Sequence, residues 1–398
     1  MKNNLEYAKN IIPGGTQLLS KRSEIYPQYY SKAKGIEIWD LYGNKYLDFA
    51  SMGIGTCILG YADEDVNNAV KECIDKGSMS TLNPPEELEL AELLLELHHQ
   101  MGMVRFARTG GESMAIAVRI ARAYTGKDKV AFCGYHGWHD WYLSANLENT
   151  KNLDIHLLPD LGCKGVPKCL KGTAIPFEFN KIEQLEKILE ENDIGVVVVE
   201  PMRHEYPNIG FLKTIRDICD EKGIVLIFDL ITIGWRSHIT NIIPDIIVYA
   251  KGISNGYPMG VILGKKEIME ATNETFISST YWTERIGPVA ALATIRKMLE
   301  KGVIEYINDI GIRIGMGWRD LAMKYDLDIV VLPPLALITF KFNYDNAKEL
   351  EVIFKKEMLK RGYIAGLGVY VSYAHTIELV DEYLKNVDEV FEVIKNEL

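Results

Sequence analysis

Three apolar, β-branched segments end in groups that can do chemistry. Glu200 closes "IGVVVVE", Asp229 closes "GIVLIFD" and Lys251 follows "DIIVYA". A lysine delivered by such a run into the glycine-bearing stretch "KGISNGYPMG" is either a surface residue at a strand end or an amine nucleophile, because desolvating an ammonium is costly and lowers its pKa. A carboxylate and an amine on two strand ends can meet over one ligand. They can equally form a plain buried ion pair, a weak source of stability. In "RFARTGGESMAIAVRIARAYTG" a strand, a glycine turn and a helix follow one another, with Thr109, Gly110 and Gly111 at the helix start. Free amides and the helix dipole make that turn an anion site suited to a phosphate, although the same pattern also serves as an ordinary cap. The stretch "CGYHGWHDWY" gathers Tyr135, His136, Trp138, His139 and Trp141. Most of these fit a packed loop, and Tyr135 is placed to stack on a flat heterocycle.

A phosphate cradle, a stacking aromatic, a carboxylate and an amine are what pyridoxal 5'-phosphate requires. The lysine forms the Schiff base, and the carboxylate keeps the pyridine nitrogen protonated so that the ring acts as an electron sink.

The elements that must position these groups are legible from periodicity. "KVAFCGY", "IGVVVVEP", "GIVLIFD" and "DIIVYAK" are apolar runs of strand length, as expected when helices cover both faces of a sheet. "GFLKTIRDICDEKG" between the second and third is an amphipathic crossover helix. The pattern predicts an α/β fold with a mainly parallel sheet, in which ligands sit beyond the carboxyl ends of the strands. Near the start, "IEIW" and "KYLDF" flank the turn "YGN" and read as a hairpin. The last hundred or so residues alternate helices with short strands, a smaller α+β unit. The expected division is 1–55 for an N-terminal segment belonging to the small domain, 56–290 for a large cofactor-binding domain, and 291–398 for the C-terminal small domain.

The chain of 398 residues is 47% hydrophobic and 25% charged, the profile of a globular protein with room for two domains. A net charge of −11 argues against a nucleic-acid or anionic-membrane surface and for small-molecule chemistry. "MKNNLEYAKNIIPGG" lacks the apolar core of a signal peptide, and no run approaches the roughly 20 apolar residues of a membrane span, so a cytoplasmic location is expected. The 6 cysteines are scattered, without the paired spacing of a zinc site, and read as free thiols.

The sequence resembles the class III, fold type I pyridoxal-phosphate aminotransferases, and within them the branch containing glutamate-1-semialdehyde aminomutase. The resemblance runs through "IPGGTQLLSKR", "KGIEIWDLYGNKYLDF", "RTGGESMAIAVRIARAYTGKDKV", "GYHGWHD", "LIFDLITIGWR", "AKGISNGYPMG" and "VSYAHT". It implies that Lys251 carries the cofactor, Asp229 pairs with the pyridine nitrogen, Ile231 packs on one ring face and Tyr135 on the other. By the same resemblance Thr109, Gly110 and Gly111 hold the phosphate, with His136 and Glu200 close by. A threonine of a neighbouring subunit completes the phosphate site in the family, and Thr280 matches it best, which implies a homodimer with shared active sites. Arg22, Trp39 and Arg285 are candidates for contacting the substrate.

The chain departs from the family at several points. Gly111 replaces a threonine of the phosphate loop, Leu230 replaces the carboxylate that usually follows Asp229, and "GYIAGLGVYVSYAHT" is shorter than the aminomutase pattern. The expected activity is amino transfer from an amino-acid donor, glutamate by preference, to a carbonyl acceptor of sugar-like or polysaccharide-precursor type. An intramolecular aminomutase and a non-catalytic cofactor-binding protein are the alternatives.

Overall fold

The computed structural model describes residues 5–238 and 241–398. Its chain contacts divide into two compact units. One comprises the chain up to Asn68 together with Arg296–Leu398, and the other is Ala69–Ile295.

The N-terminal part of the first unit contributes the antiparallel strands β1 (Tyr30–Lys34), β2 (Glu37–Asp40) and β3 (Lys45–Phe49). The turn between β2 and β3 is the one expected at "YGN". Asp40 closes it, its Oδ1 accepting from the amides of Tyr42 and Asn44 at 2.8 and 2.9 Å.

The second unit carries seven strands: β4 (Met103–Ala107), β5 (Lys129–Cys133), β6 (Ala174–Pro176), β7 (Ile194–Val199), β8 (Val225–Asp229), β9 (Ile246–Tyr249) and β10 (Gly260–Gly264). Their order across the sheet is β4-β10-β9-β8-β7-β5-β6. The run β6-β5-β7-β8-β9 is parallel, and β10 lies antiparallel between β9 and β4. The sheet is therefore mainly parallel, as the apolar runs predict. Every residue of β7, β8, β9 and β10 is buried, which is why these strands show no polar alternation. Each buried aliphatic side chain of this kind contributes about 1.5–3 kcal/mol. The crossover from β7 to β8 runs through the helix Phe211–Lys222, which presents Phe211, Leu212, Ile215 and Cys219 as its buried stripe and stops at Gly223 in the left-handed conformation.

The C-terminal part of the first unit adds the antiparallel pair β11 (Ile329–Leu332) and β12 (Thr339–Phe342), and then β13 (Tyr363–Ala365), which pairs in parallel with β3. The small sheet thus takes strands from both ends of the chain, in the order β1-β2-β3-β13. The helices Val303–Lys324, Ala347–Lys360 and Ile377–Glu397 pack with these strands through Trp318, Phe340, Phe354 and Phe391.

Candidate active site

The carboxyl ends of the parallel strands bring the chemistry of the second unit together. Asp229 ends β8 with 3% of its surface exposed, and its two oxygens are already engaged. Oδ1 accepts from the Ile231 amide at 3.0 Å, and Oδ2 lies 2.8 Å from His136 Nδ1. His136 follows β5 and is 1% exposed. Its ring is boxed by Trp141, stacked at 6.0 Å, and by Phe132 and Tyr142, both edge-on. The aromatic cluster of the 133–142 segment therefore fixes the imidazole that fixes the carboxylate. His136 Nε2 is buried with no hydrogen-bond partner.

Lys251 follows β9 with a left-handed backbone, φ +41°, at the head of a single turn. Its Nζ donates to Thr232 Oγ1 at 2.8 Å. Burial pulls the ammonium down from its ordinary value to about 8, and Arg203 pushes the same way against Glu200. A pKa of about 8 leaves the ammonium the major form at neutral pH but makes the neutral amine, the form that is a nucleophile and a base, far more accessible than in an ordinary lysine.

Glu200, which follows β7, is 5% exposed and holds two neighbours. Its Oε2 accepts from the Tyr135 amide at 3.3 Å, and its Oε1 pairs with the Arg203 guanidinium at 2.6 Å. Glu200 is thus a brace for the Tyr135 loop and a partner for a cation. Gly134 leaves room for that brace: at φ +118°, a Cβ there would lie 2.5 Å from Glu200 Cβ. Tyr135 is half-buried with its ring edge against Tyr142 at 5.9 Å, and burial raises its phenol pKa.

The glycine turn opens the helix Gly110–Thr125. Glu112 reaches back to accept from the amides of Arg108 at 2.9 Å and Thr109 at 3.4 Å, which ties the turn down from inside the helix. The first-turn amides of Gly110 and Gly111 have no intrahelical acceptor. Neither glycine can be enlarged freely. A Cβ on Gly110 would sit 3.1 Å from Ile231 Cδ1, and one on Gly111 would sit 3.0 Å from His139 Nδ1. A threonine at 111 would have to displace His139, which crowds that side of the turn. His139 Nδ1 is itself buried with no hydrogen-bond partner, and burial lowers the pKa of the ring.

Of the residues expected at the site, the structure joins Asp229 to His136 and Ile231 and Glu200 to Tyr135 by hydrogen bonds, and it places the Ile231 side chain where a Cβ on Gly110 would meet it. Leu230, in place of the usual carboxylate, is 8% exposed, where an unpaired charge would be costly. Thr280 opens an exposed single turn, Thr280–Thr283. Arg108 pins that turn, donating to the carbonyls of Trp282 and Glu284 at 2.9 and 2.8 Å. Arg285 is committed elsewhere, its guanidinium gripping both oxygens of Glu86 at 2.8 Å. Arg22 and Trp39 belong to the first unit, where Gly14 packs against the Arg22 guanidinium and Lys32 Nζ sits 4.6 Å over the Trp39 ring. Sequence reasoning missed Thr232, Arg203 and the orphaned nitrogen of His139. Only Arg203 left a signal, a charged residue three positions after the strand-ending Glu200.

A family model described as aminotransferase class-III matches residues 19–396. The chain belongs to the class III aminotransferase family. It is 30% identical to the glutamate-1-semialdehyde 2,1-aminomutase of Archaeoglobus fulgidus over 96% of this chain and 97% of that protein. It is 27% identical to the 3-aminobutyryl-CoA aminotransferase of Cloacimonas acidaminovorans over 97% of this chain and 96% of that one. Among solved structures it superposes on the PLP internal aldimine form of the FumI protein of Sphingopyxis sp. MTA144 with a TM-score of 0.88, at 23% identity, covering 99% of this chain and 96% of that one. The fold of this aminotransferase-family enzyme is accordingly the α/β fold of fold type I. No helix among the described residues is long and apolar enough to cross a membrane.

Proposed function

We propose that this class III enzyme takes pyridoxal 5'-phosphate on Lys251 and moves an amino group from an amino-acid donor, glutamate by preference, to a carbonyl acceptor. The observation that carries the reading is a lysine amine lowered to about 8 in the same unit as a buried carboxylate whose Oδ2 is held by an imidazole. The residues fit the cofactor: the orphaned His139 nitrogen and the two crowded glycines mark an anion cradle, and Tyr135 and Ile231 offer ring faces. When bound, pyridoxal phosphate supplies an aldehyde that condenses with amines and a pyridinium ring that withdraws electrons from the substrate α-carbon.

Asp229, oriented by His136 and the Ile231 amide, holds the proton at the ring nitrogen. With the cofactor bound, Lys251 Nζ would be the base that takes the substrate α-proton and hands it on. The depressed pKa suits it to both directions, since a base works best when its pKa lies near the working pH. Arg203 offers a cation to a carboxylate or phosphate on the substrate, with Glu200 balancing its charge until then. Arg22 and Trp39 are assigned to substrate recognition on the family resemblance. Thr280, exposed on its turn, is assigned to the phosphate site of a second copy in a homodimer.

The 30% identity to aminomutases supports a second reading, intramolecular transfer within one substrate. Visible absorption spectra of the loaded protein separate the two. Bleaching of the yellow band by glutamate, reversed by a carbonyl acceptor, supports intermolecular transfer. A band untouched by every free amino acid, together with conversion of glutamate-1-semialdehyde to 5-aminolevulinate, supports the mutase. No band at all removes the cofactor reading.

A further inference from the structure

Thr232 was not among the groups that sequence reasoning singled out, yet among the described residues it is the one side chain hydrogen-bonded to the Lys251 amine, at 2.8 Å, and neither group makes a competing side-chain hydrogen bond there. It sits on the turn that leaves β8, three positions after Asp229 and one after Ile231. The turn is tied at its start by the Ile231 amide on Asp229 Oδ1 and further along by the Gly234 amide on the Leu230 carbonyl at 2.9 Å. Thr232 is 6% exposed. A β-branched side chain in a packed turn has little χ1 freedom, so its hydroxyl is a fixed point. Lys251, by contrast, has a long flexible stem on a left-handed backbone.

We propose that Thr232 is the positioning residue for the Lys251 amine, parking it when it is not bonded to cofactor and presenting it for proton transfer. The proposal rests on the reading of Lys251 as the cofactor-bearing lysine. A hydroxyl is suited to this task because it works with both protonation states. Its oxygen accepts from the ammonium, and its own proton turns to the lone pair of the neutral amine. A methyl group in its place would leave a buried ammonium without a hydrogen-bond acceptor and so favour the neutral form. The charged groups acting on the amine are Arg203, Arg236, Glu200 and Asp229, two cations and two carboxylates from the segment that follows β7 and the one that runs on from the end of β8. Their opposed signs leave the hydroxyl as the directional contact.

The test is competitive acetylation of cofactor-free protein with acetic anhydride across a pH series, reading the Lys251 peptide by mass spectrometry in the native, Thr232→Val and Thr232→Ser proteins. The native midpoint is expected near about 8. In Thr232→Val it falls by about one pH unit, the size of a lost hydrogen bond to a charged group, while Thr232→Ser stays with the native protein. In the loaded enzyme Thr232→Val lowers kcat about tenfold with little change in donor KM, as a lost transition-state contact does. A Thr232→Val midpoint equal to the native one, or a serine variant that behaves like valine, overturns the proposal. Should valine prevent folding, Thr232→Ala replaces it. The labelling needs no cofactor, so a native protein that gives no visible band would defeat the cofactor reading without deciding the role of Thr232.

Discussion

His136 Nδ1 lies 2.8 Å from Asp229 Oδ2, and neither residue has more than 3% of its surface in contact with solvent. A buried carboxylate held on one oxygen by an imidazole and on the other by a backbone amide cannot rotate. It presents its charge in one direction, which is what protonating a ring nitrogen needs. Asp229→Asn is therefore expected to keep the yellow band with pyridoxal phosphate and to slow its bleaching by the donor by about 100-fold or more, because the electron sink is weakened. Stopped-flow absorbance checks this, and an unchanged rate removes Asp229 from the role.

Lys251→Met makes two predictions of opposite sign. Turnover and the visible band are lost together. The cofactor-free protein, however, becomes more stable at neutral pH. The folded pKa of about 8 lies below that of the unfolded chain, so below pH 8 folding carries the whole cost of burying the ammonium. That cost is relieved as the pH rises from the folded to the unfolded value, where the unfolded chain binds more protons. Thermal melts should show Lys251→Met gaining about 1–2 kcal/mol at pH 7, and the gain should shrink at high pH.

The crowding at the glycine turn gives a third prediction. Gly111→Ala must displace His139, whose Nδ1 would lie 3.0 Å from the new Cβ. If the turn cradles a phosphate, affinity for pyridoxal phosphate falls by about tenfold or more while affinity for unphosphorylated pyridoxal changes little. Equilibrium dialysis of both ligands decides, and equal losses for the two would place the phosphate elsewhere.

Arg203→Gln tests substrate charge. With the Glu200 pair removed, KM for an anionic donor is expected to rise about 10-fold or more with kcat nearly kept, the pattern of lost ground-state binding. A KM that stays put while Tm drops would make the pair a brace only.

Much of this was legible because it depends on neighbours in sequence. The strands β5, β7, β8 and β9 are uninterrupted apolar runs, and Asp229 and Lys251 stand where such runs end. The strand β10 was not singled out. Its five residues follow "NGYPM" with glycine at either end, and it becomes a strand by pairing with β4, more than 150 residues earlier in the chain. The site divides in the same way. Gly110 and Gly111 announce themselves by type, whereas Thr232 looks like any turn residue until the chain returns 19 residues later with an amine. His136 was expected close to the cofactor, and its grip on the Asp229 carboxylate is a contact across 93 residues that no local pattern encodes.

The end of β8 and the turn after it carry Asp229, Ile231 and Thr232, which hold the imidazole of one loop, crowd the glycine turn of another and meet the amine of a third. Anyone redesigning this enzyme inherits that arithmetic. Deleting one residue between 229 and 232 would shift the hydroxyl out of register with the amine even if the carboxylate stayed in place. The segment should therefore be transplanted between relatives as a whole cassette, and libraries that vary these positions one at a time should return mostly inactive clones.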